Sequence, residues 1–240
     1  MLWKCPKETS DYFEKAFEKV SALYVADGHH RTAAAFNVGK AQREAAIEAG
    51  KVVTGNEPFN FFMTLLYPSD NLMILDYNRV LKTLGEHTEE SFLIALEETF
   101  IVEAIPEGGS SVVQNKHDFS LYMRESGWYK LRLKPEKLDK SNVISQLDSQ
   151  IMTDKILTPL VGITEIKKDS RVEFVGGIRG HKELEKRVSE DCVAAIAMKP
   201  VLLEELIAVA DAGKIMPPKT TWFEPKPRSG FVVRCWDKDD

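Results

Sequence analysis

From Ser10 to Val20 the apolar positions fall at Phe13, Ala16, Phe17 and Val20, the spacing of a helix with one buried face, with Thr9 or Ser10 as its cap. Ala22-Leu23-Tyr24-Val25-Ala26 is then a short unbroken apolar run, read as a buried strand that Asp27-Gly28 ends as turn residues do. Arg31 opens a second helix that runs to Ala49 and stops at Gly50. The order is strand, polar glycine turn, helix.

Further along, Phe59 to Leu66 and Met73-Ile74-Leu75 both suit buried strands, separated by Tyr67-Pro68 and the Ser69-Asp70-Asn71 turn. Thr88-Glu89-Glu90-Ser91 reads as a helix start, with Phe92, Leu93 and Leu96 inward. After the Gly108-Gly109-Ser110-Ser111 loop, the runs Phe119 to Met123 and Trp128 to Leu133 flank Arg124-Glu125-Ser126-Gly127 as a β-hairpin, with glycine where positive φ is needed. A helix from about Val143 carries Ile144, Leu147, Ile151, Ile156 and Leu157 inward and ends before Pro159. Val172 to Val175 is a strand, Lys182 to Ser189 a polar helix, Cys192 to Met198 a strand, and Val201 to Ala212 a helix stopped by Gly213. The pattern predicts a mixed α/β (α+β) fold without internal repeats, in two portions spanning residues 1–85 and 86–240.

Composition narrows the class. Hydrophobic residues are 43% and charged residues 29% of 240, an ordinary globular balance. The net charge of -5 is scattered, which argues against nucleic acid as the main partner because that needs a concentrated basic face. Cys5, Cys192 and Cys235 are too far apart and too few for a zinc site or a disulfide framework. No stretch has the length of a membrane span and the start lacks a signal-peptide core, so a cytoplasmic location is expected. The oligomeric state is not legible.

The strongest chemical segment is Asp27-Gly28-His29-His30-Arg31, continued by Thr32. A glycine turn feeding a helix leaves backbone N–H groups without helical partners where the dipole also favours an anion. Gly28, His29, His30, Arg31 and Thr32 are therefore candidate phosphate or nucleotide ligands, and Asp27, His29 and His30 candidate catalytic groups. Asp27 would repel an anion, so it needs a different role, such as orienting a histidine, taking a hydroxyl proton or holding magnesium. The rival is a structural turn in which Asp27 caps the helix and His29 packs, which so long a polar run disfavours. In Asp76-Tyr77-Asn78-Arg79, Arg79 could reach a carboxylate or phosphate, but on the residues alone an exposed turn with a salt bridge is favoured. Gly176-Gly177-Ile178-Arg179-Gly180-His181 reads as a ligand-approach loop or an ordinary strand-to-helix connection. Met216 to Lys226, with Lys219, Thr220 and Trp222, reads as a rigid substrate wall or as a proline-bounded strand packing its aromatics.

Tyr24-Val25-Ala26-Asp27-Gly28-His29-His30-Arg31 resembles the signature of the domain-of-unknown-function 1015 family. Leu75 to Val80, Phe174 to Gly177, and Met216 to Lys226 with Ser229-Gly230 resemble its later blocks, in the same order. The Asp-Gly-His-His-Arg block in turn is similar to the phosphate-handling segment of the ParB/sulfiredoxin-like fold, which includes enzymes that phosphorylate free serine. Family members commonly lie beside serine-biosynthesis genes. The resemblance thus implies a ParB/sulfiredoxin-like portion with a second α/β part, ATP or ADP with magnesium as cofactor, and serine or phosphoserine as small-molecule partner. It implies phosphoryl transfer to a hydroxyl, with His29, His30 and Arg31 on the nucleotide phosphates and Asp27 near the transferred group or its metal; Arg79, Lys219, Thr220 and Trp222 remain the substrate-side candidates read from their own segments. Family chains usually carry a longer segment before this block, the source of the catalytic carboxylate in the serine kinases; here 26 residues precede Asp27. The resemblance therefore also admits a fragment, or a relative that binds nucleotide without catalysis as a regulatory module. A phosphate-ester hydrolase using the same site is a further alternative. The absence of a Gly-x-x-x-x-Gly-Lys-Ser/Thr loop argues against a P-loop enzyme.

Overall fold

The computed structural model describes residues 3–234, so Cys235 lies outside the described residues. Two compact units divide the chain: residues 1–65 with 229–240, and residues 66–228. The expected boundary at 85/86 lies inside the second unit.

The first unit is helical. α1 (Lys7–Phe17) starts three residues ahead of the Ser10 expected, directly after Pro6, and no side chain caps it. Proline is tolerated there because the first N–H groups of a helix have no helical acceptor anyway. α2 (His29–Glu48) matches the expected second helix, and Gly50 leaves it in the left-handed conformation at φ +70°. The two strands expected in this unit are absent. Residues 22–26 are irregular and Leu23 is 63% exposed; Pro58–Asn60 is a single 3-10 turn, and 61–68 is irregular with Leu65 65% exposed. An apolar run becomes a strand only when a neighbour accepts its backbone hydrogen bonds. Among the described residues this unit offers none. Gly39 lies against the Phe59 carbonyl, where a Cβ would collide, so α2 and the 3-10 turn meet backbone to backbone.

The second unit is built on a sheet. β1 (Met73–Leu75) pairs with β8 (Trp222–Glu224), with Leu75 opposite Trp222. β2 (Tyr77–Leu81), β3 (Phe100–Ala104), β4 (Asp118–Met123), β5 (Gly127–Leu133), β6 (Val172–Gly176) and β7 (Ala194–Met198) form a six-stranded sheet in the order β3-β5-β4-β7-β2-β6, antiparallel at every pairing. The fold is mixed α/β, as the sequence pattern predicts. The β4–β5 hairpin is where expected, with Gly127 at φ +81°. α3 (Glu89–Leu96) begins at Thr88, whose hydroxyl accepts the Ser91 N–H at 3.2 Å while Ser91 Oγ accepts the Thr88 N–H at 3.0 Å.

The helix expected from Val143 starts later. Asp139 and Asn142 accept the amides of Ser141, Ile144 and Ser145, holding residues 139–147 in turns, and α4 spans Asp148–Met152. Short polar side chains that bond nearby amides compete with the helix in this way. The helix then passes Pro159 instead of stopping: Thr153–Leu157 widens into a π turn directly before α5 (Thr158–Val161), a local change of hydrogen-bond register at the place where proline lacks its N–H. α6 (Gly180–Glu190) and α7 (Leu203–Asp211) complete the unit, each within about two residues of expectation.

Alternation along β2 divides the core. Leu81 joins Phe119, Leu121, Phe92, Met152 and Ile196 on one face; Val80 joins Val175, Leu184, Val188 and Ala195 on the other. Arg79 and Asn78 extend those two faces towards the β1–β8 ribbon, and both are buried.

Candidate functional site

In the first unit, the signature forms the head of α2. Gly28 occupies the N-cap in the left-handed conformation, φ +84°, and its N–H donates to Asp27 Oδ1 at 2.8 Å. The Thr32 N–H reaches the Gly28 carbonyl at 2.9 Å, so the amides of His29, His30 and Arg31 lie in the first turn, where a helix supplies no acceptor. The Arg31 guanidinium folds back beside Gly28, so that even a methyl there would touch it at 3.4 Å. His29, His30 and Arg31 are exposed and Thr32 is half-buried. The Arg31 guanidinium thus lies beside Gly28 at the positive end of a 20-residue helix, whose first turn also carries the exposed His29 and His30. The buried strand expected ahead of Asp27 is irregular chain. Among the described residues no group of three or more His, Cys, Asp or Glu side chains is gathered to hold a metal.

In the second unit, three of the segments singled out by sequence meet. β2 lies beside β6 with Tyr77 opposite Gly176 and Arg79 opposite Phe174, and β1 brings Leu75 opposite Trp222. The Trp222 ring covers Gly176 so closely that a Cβ would overlap it, and the Asp76 carboxylate fills the place where a Cβ of Gly177 would stand. Both glycines are thus required by close approach, within an ordinary strand-to-helix connection. Trp222 packs on Tyr77 at 5.4 Å between centroids and donates its indole N–H to Glu224 at 2.6 Å. The segment is a proline-bounded strand with Trp222 and Phe223 packed, and Phe223 is buried.

Arg79 is not in an exposed turn, and it makes no salt bridge among the described residues. It is 1% exposed within β2, donates to the carbonyls of Tyr77 at 2.6 Å and Lys219 at 3.1 Å, and lies 4.5 Å from the centre of the Phe174 ring. Burial pushes its pKa down to about 9. Thr220 is buried, with its hydroxyl on the Pro217 carbonyl at 2.6 Å and 3.3 Å from Ser149 Oγ. Lys219 is exposed, and its ammonium sits 5.6 Å from the Tyr77 ring centre. Two clefts of this unit lie between Leu72, Ile74 and residues 199–203, and around Lys82 to Gly85 and Arg124.

Sequence reasoning missed a second polar cluster across the sheet. Ser111 Oγ and His181 Nδ1 lie 2.6 Å apart, Trp128 stacks on His181 at 5.2 Å, and Trp128 donates to Glu185 at 2.8 Å. Burial holds the His181 pKa below its ordinary value, opposed by the charges of Asp76 and Glu185. Nothing local in the chain pairs residues 70 positions apart, so no spacing signal announces the contact.

The family model described as protein of unknown function, DUF1015, matches residues 1–150. The chain belongs to that family. No curated protein matches it. Among solved structures, free serine kinase in complex with AMP is 14% identical, with 92% of this chain and 81% of that chain covered and a TM-score of 0.40. A variant of free serine kinase in complex with ADP gives the same identity and coverage and a TM-score of 0.41. A conserved hypothetical protein from Pyrococcus furiosus is 15% identical over 90% of this chain and 82% of that one, at a TM-score of 0.40. No helix among the described residues is long and apolar enough to cross a membrane.

Proposed function

We propose that the chain binds a nucleotide or other phosphorylated small molecule at the head of α2 and transfers a phosphoryl group to a small hydroxyl compound such as serine. The observation that carries this reading is the arrangement of Gly28 in the left-handed N-cap with Arg31, His29 and His30 beside the first-turn amides. Such a surface recognises phosphate through charge-assisted bonds and the helix dipole together.

A bound nucleotide with magnesium supplies the transferable phosphoryl group. Gly28, His29, His30, Arg31 and Thr32 hold phosphate oxygens and neutralise their charge, which is most of what catalysis of such a transfer requires. Asp27, kept at the turn by its bond to the Gly28 N–H, takes the hydroxyl proton or a place on the metal. Within the second unit, Lys219, Thr220 and Trp222, with Arg79 bonded to the Lys219 carbonyl, are read separately as substrate-side contacts for a small molecule.

The test is incubation with ATP, magnesium and L-serine, followed by phosphorus NMR. O-phosphoserine with ADP is the expected product pair. Inorganic phosphate with ADP would replace the transferase by a hydrolase acting at the same place, and unchanged ATP with measurable nucleotide binding would leave a regulatory module.

A further inference from the structure

Two anomalies of the second unit fall on one spot. Lys219 stands at φ +51°, in the turn that follows Pro218, a position that normally takes glycine because a Cβ strains it. Arg79, buried against the backbone of that same lysine, has no ion-pair partner among the described residues, and its Nε bonds to nothing. Glycine at 219 would relieve the first anomaly, and an apolar residue at 79 would relieve the second. A fold that keeps both cations, Lys219 exposed beside the Tyr77 ring and Arg79 buried against its backbone, holds positive charge with no carboxylate partner among the described residues.

We propose that Lys219 binds an oxyanion of a small molecule, a carboxylate or a phosphate group, and that Arg79 is the positioning residue which fixes its backbone by gripping its carbonyl. This rests on the reading of Lys219 as substrate-side. The ammonium supplies the direct contact. The guanidinium acts through the Lys219 carbonyl, and its weakly screened charge adds to the attraction from below. Strain at Lys219 is then the cost of aiming a long side chain from a rigid turn.

The experiment follows the amide signals of Lys219 to Trp222 by NMR while inorganic phosphate, L-serine or L-serinamide is added at constant ionic strength. Saturable shifts are expected with at least one of the first two and none with the amide. Phosphate alone marks a phosphate site, and L-serine alone a carboxylate site. Lys219→Gly should weaken the response by about tenfold or more while the melting temperature holds or rises. Arg79→Gln should weaken it comparably with Lys219 still present, and Arg79→Lys should fall between. If Arg79→Gln does not fold, Arg79→Lys decides, with a loss of about threefold expected. No saturable shift in the native chain, or full affinity in Lys219→Gly, overturns the site; full affinity in the Arg79 variants overturns the positioning role. ADP binding at α2 is read in a separate titration, so either reading can fail while the other stands.

Discussion

Gly177 shows how far a single side chain is dictated by its neighbour. The Asp76 carboxylate occupies the volume of its missing Cβ, and the Gly177 N–H donates to the Asp76 carbonyl at 2.8 Å. Asp76 in turn accepts from Asn78, whose Oδ1 takes the Met198 N–H at 3.2 Å. Gly177→Ala must displace this chain of contacts and is expected to destabilise the fold by about 1–3 kcal/mol, read as a lower urea midpoint with unchanged slope. An unaltered midpoint would show that Asp76 moves freely. At this scale the sequence is legible where chemistry is local: Asp27, Gly28 and Arg31 adjoin in the chain and in space. It is illegible where a contact spans 140 residues, as between Arg79 and the Lys219 carbonyl. Arginine is nearly always exposed, so nothing in Asp76-Tyr77-Asn78-Arg79 marks its last member as buried.

Elements are legible when their ends carry their own chemistry. α3 was signalled by Thr88, whose hydroxyl holds the Ser91 N–H. Thr88→Ala should cost about 1 kcal/mol, visible in thermal unfolding, and an unshifted transition would mean that the cap is idle. The β4–β5 hairpin was signalled by Gly127, and β7 by its unbroken apolar run. Residues 22–26 and 59–66 carry the same kind of run yet form no strand, because pairing depends on a partner elsewhere that a local pattern does not contain. Hydrogen exchange should follow this division. Amides of β4, β5 and β7, paired on both sides, should exchange slowest, and those of residues 19–27 and 61–68 fastest. Comparable protection in 61–68 would place those residues in a sheet after all.

For the molecule as a whole, pH separates two groups of charges. Burial disfavours the charged form of His181, so the unfolded chain binds its proton more readily. Above about pH 6.5 this costs nothing; as pH falls from there through the folded value, stability declines. Carboxylates are held low by other partners: Asp169 by Arg171, Glu173 by Lys82 and Arg187, and Asp191 by Arg187, which brings it to about 2. Their contribution is complete above the ordinary carboxylate range, near about 4, and is lost only below it. A melting-temperature decline between about pH 7 and 5 that His181→Gln flattens is the expected result. An equal decline in that variant would assign the effect elsewhere.

The central claim concerns the head of α2, and calorimetric titration of ADP and ATP, with and without magnesium, into the native chain and Arg31→Ala tests it most directly. Arg31 is exposed and packs into no core, so its loss should weaken nucleotide binding by more than about tenfold while leaving the melting temperature unchanged. An equal dissociation constant in the two proteins, or no binding by either, would contradict the assignment of phosphate to Gly28, His29, His30 and Arg31.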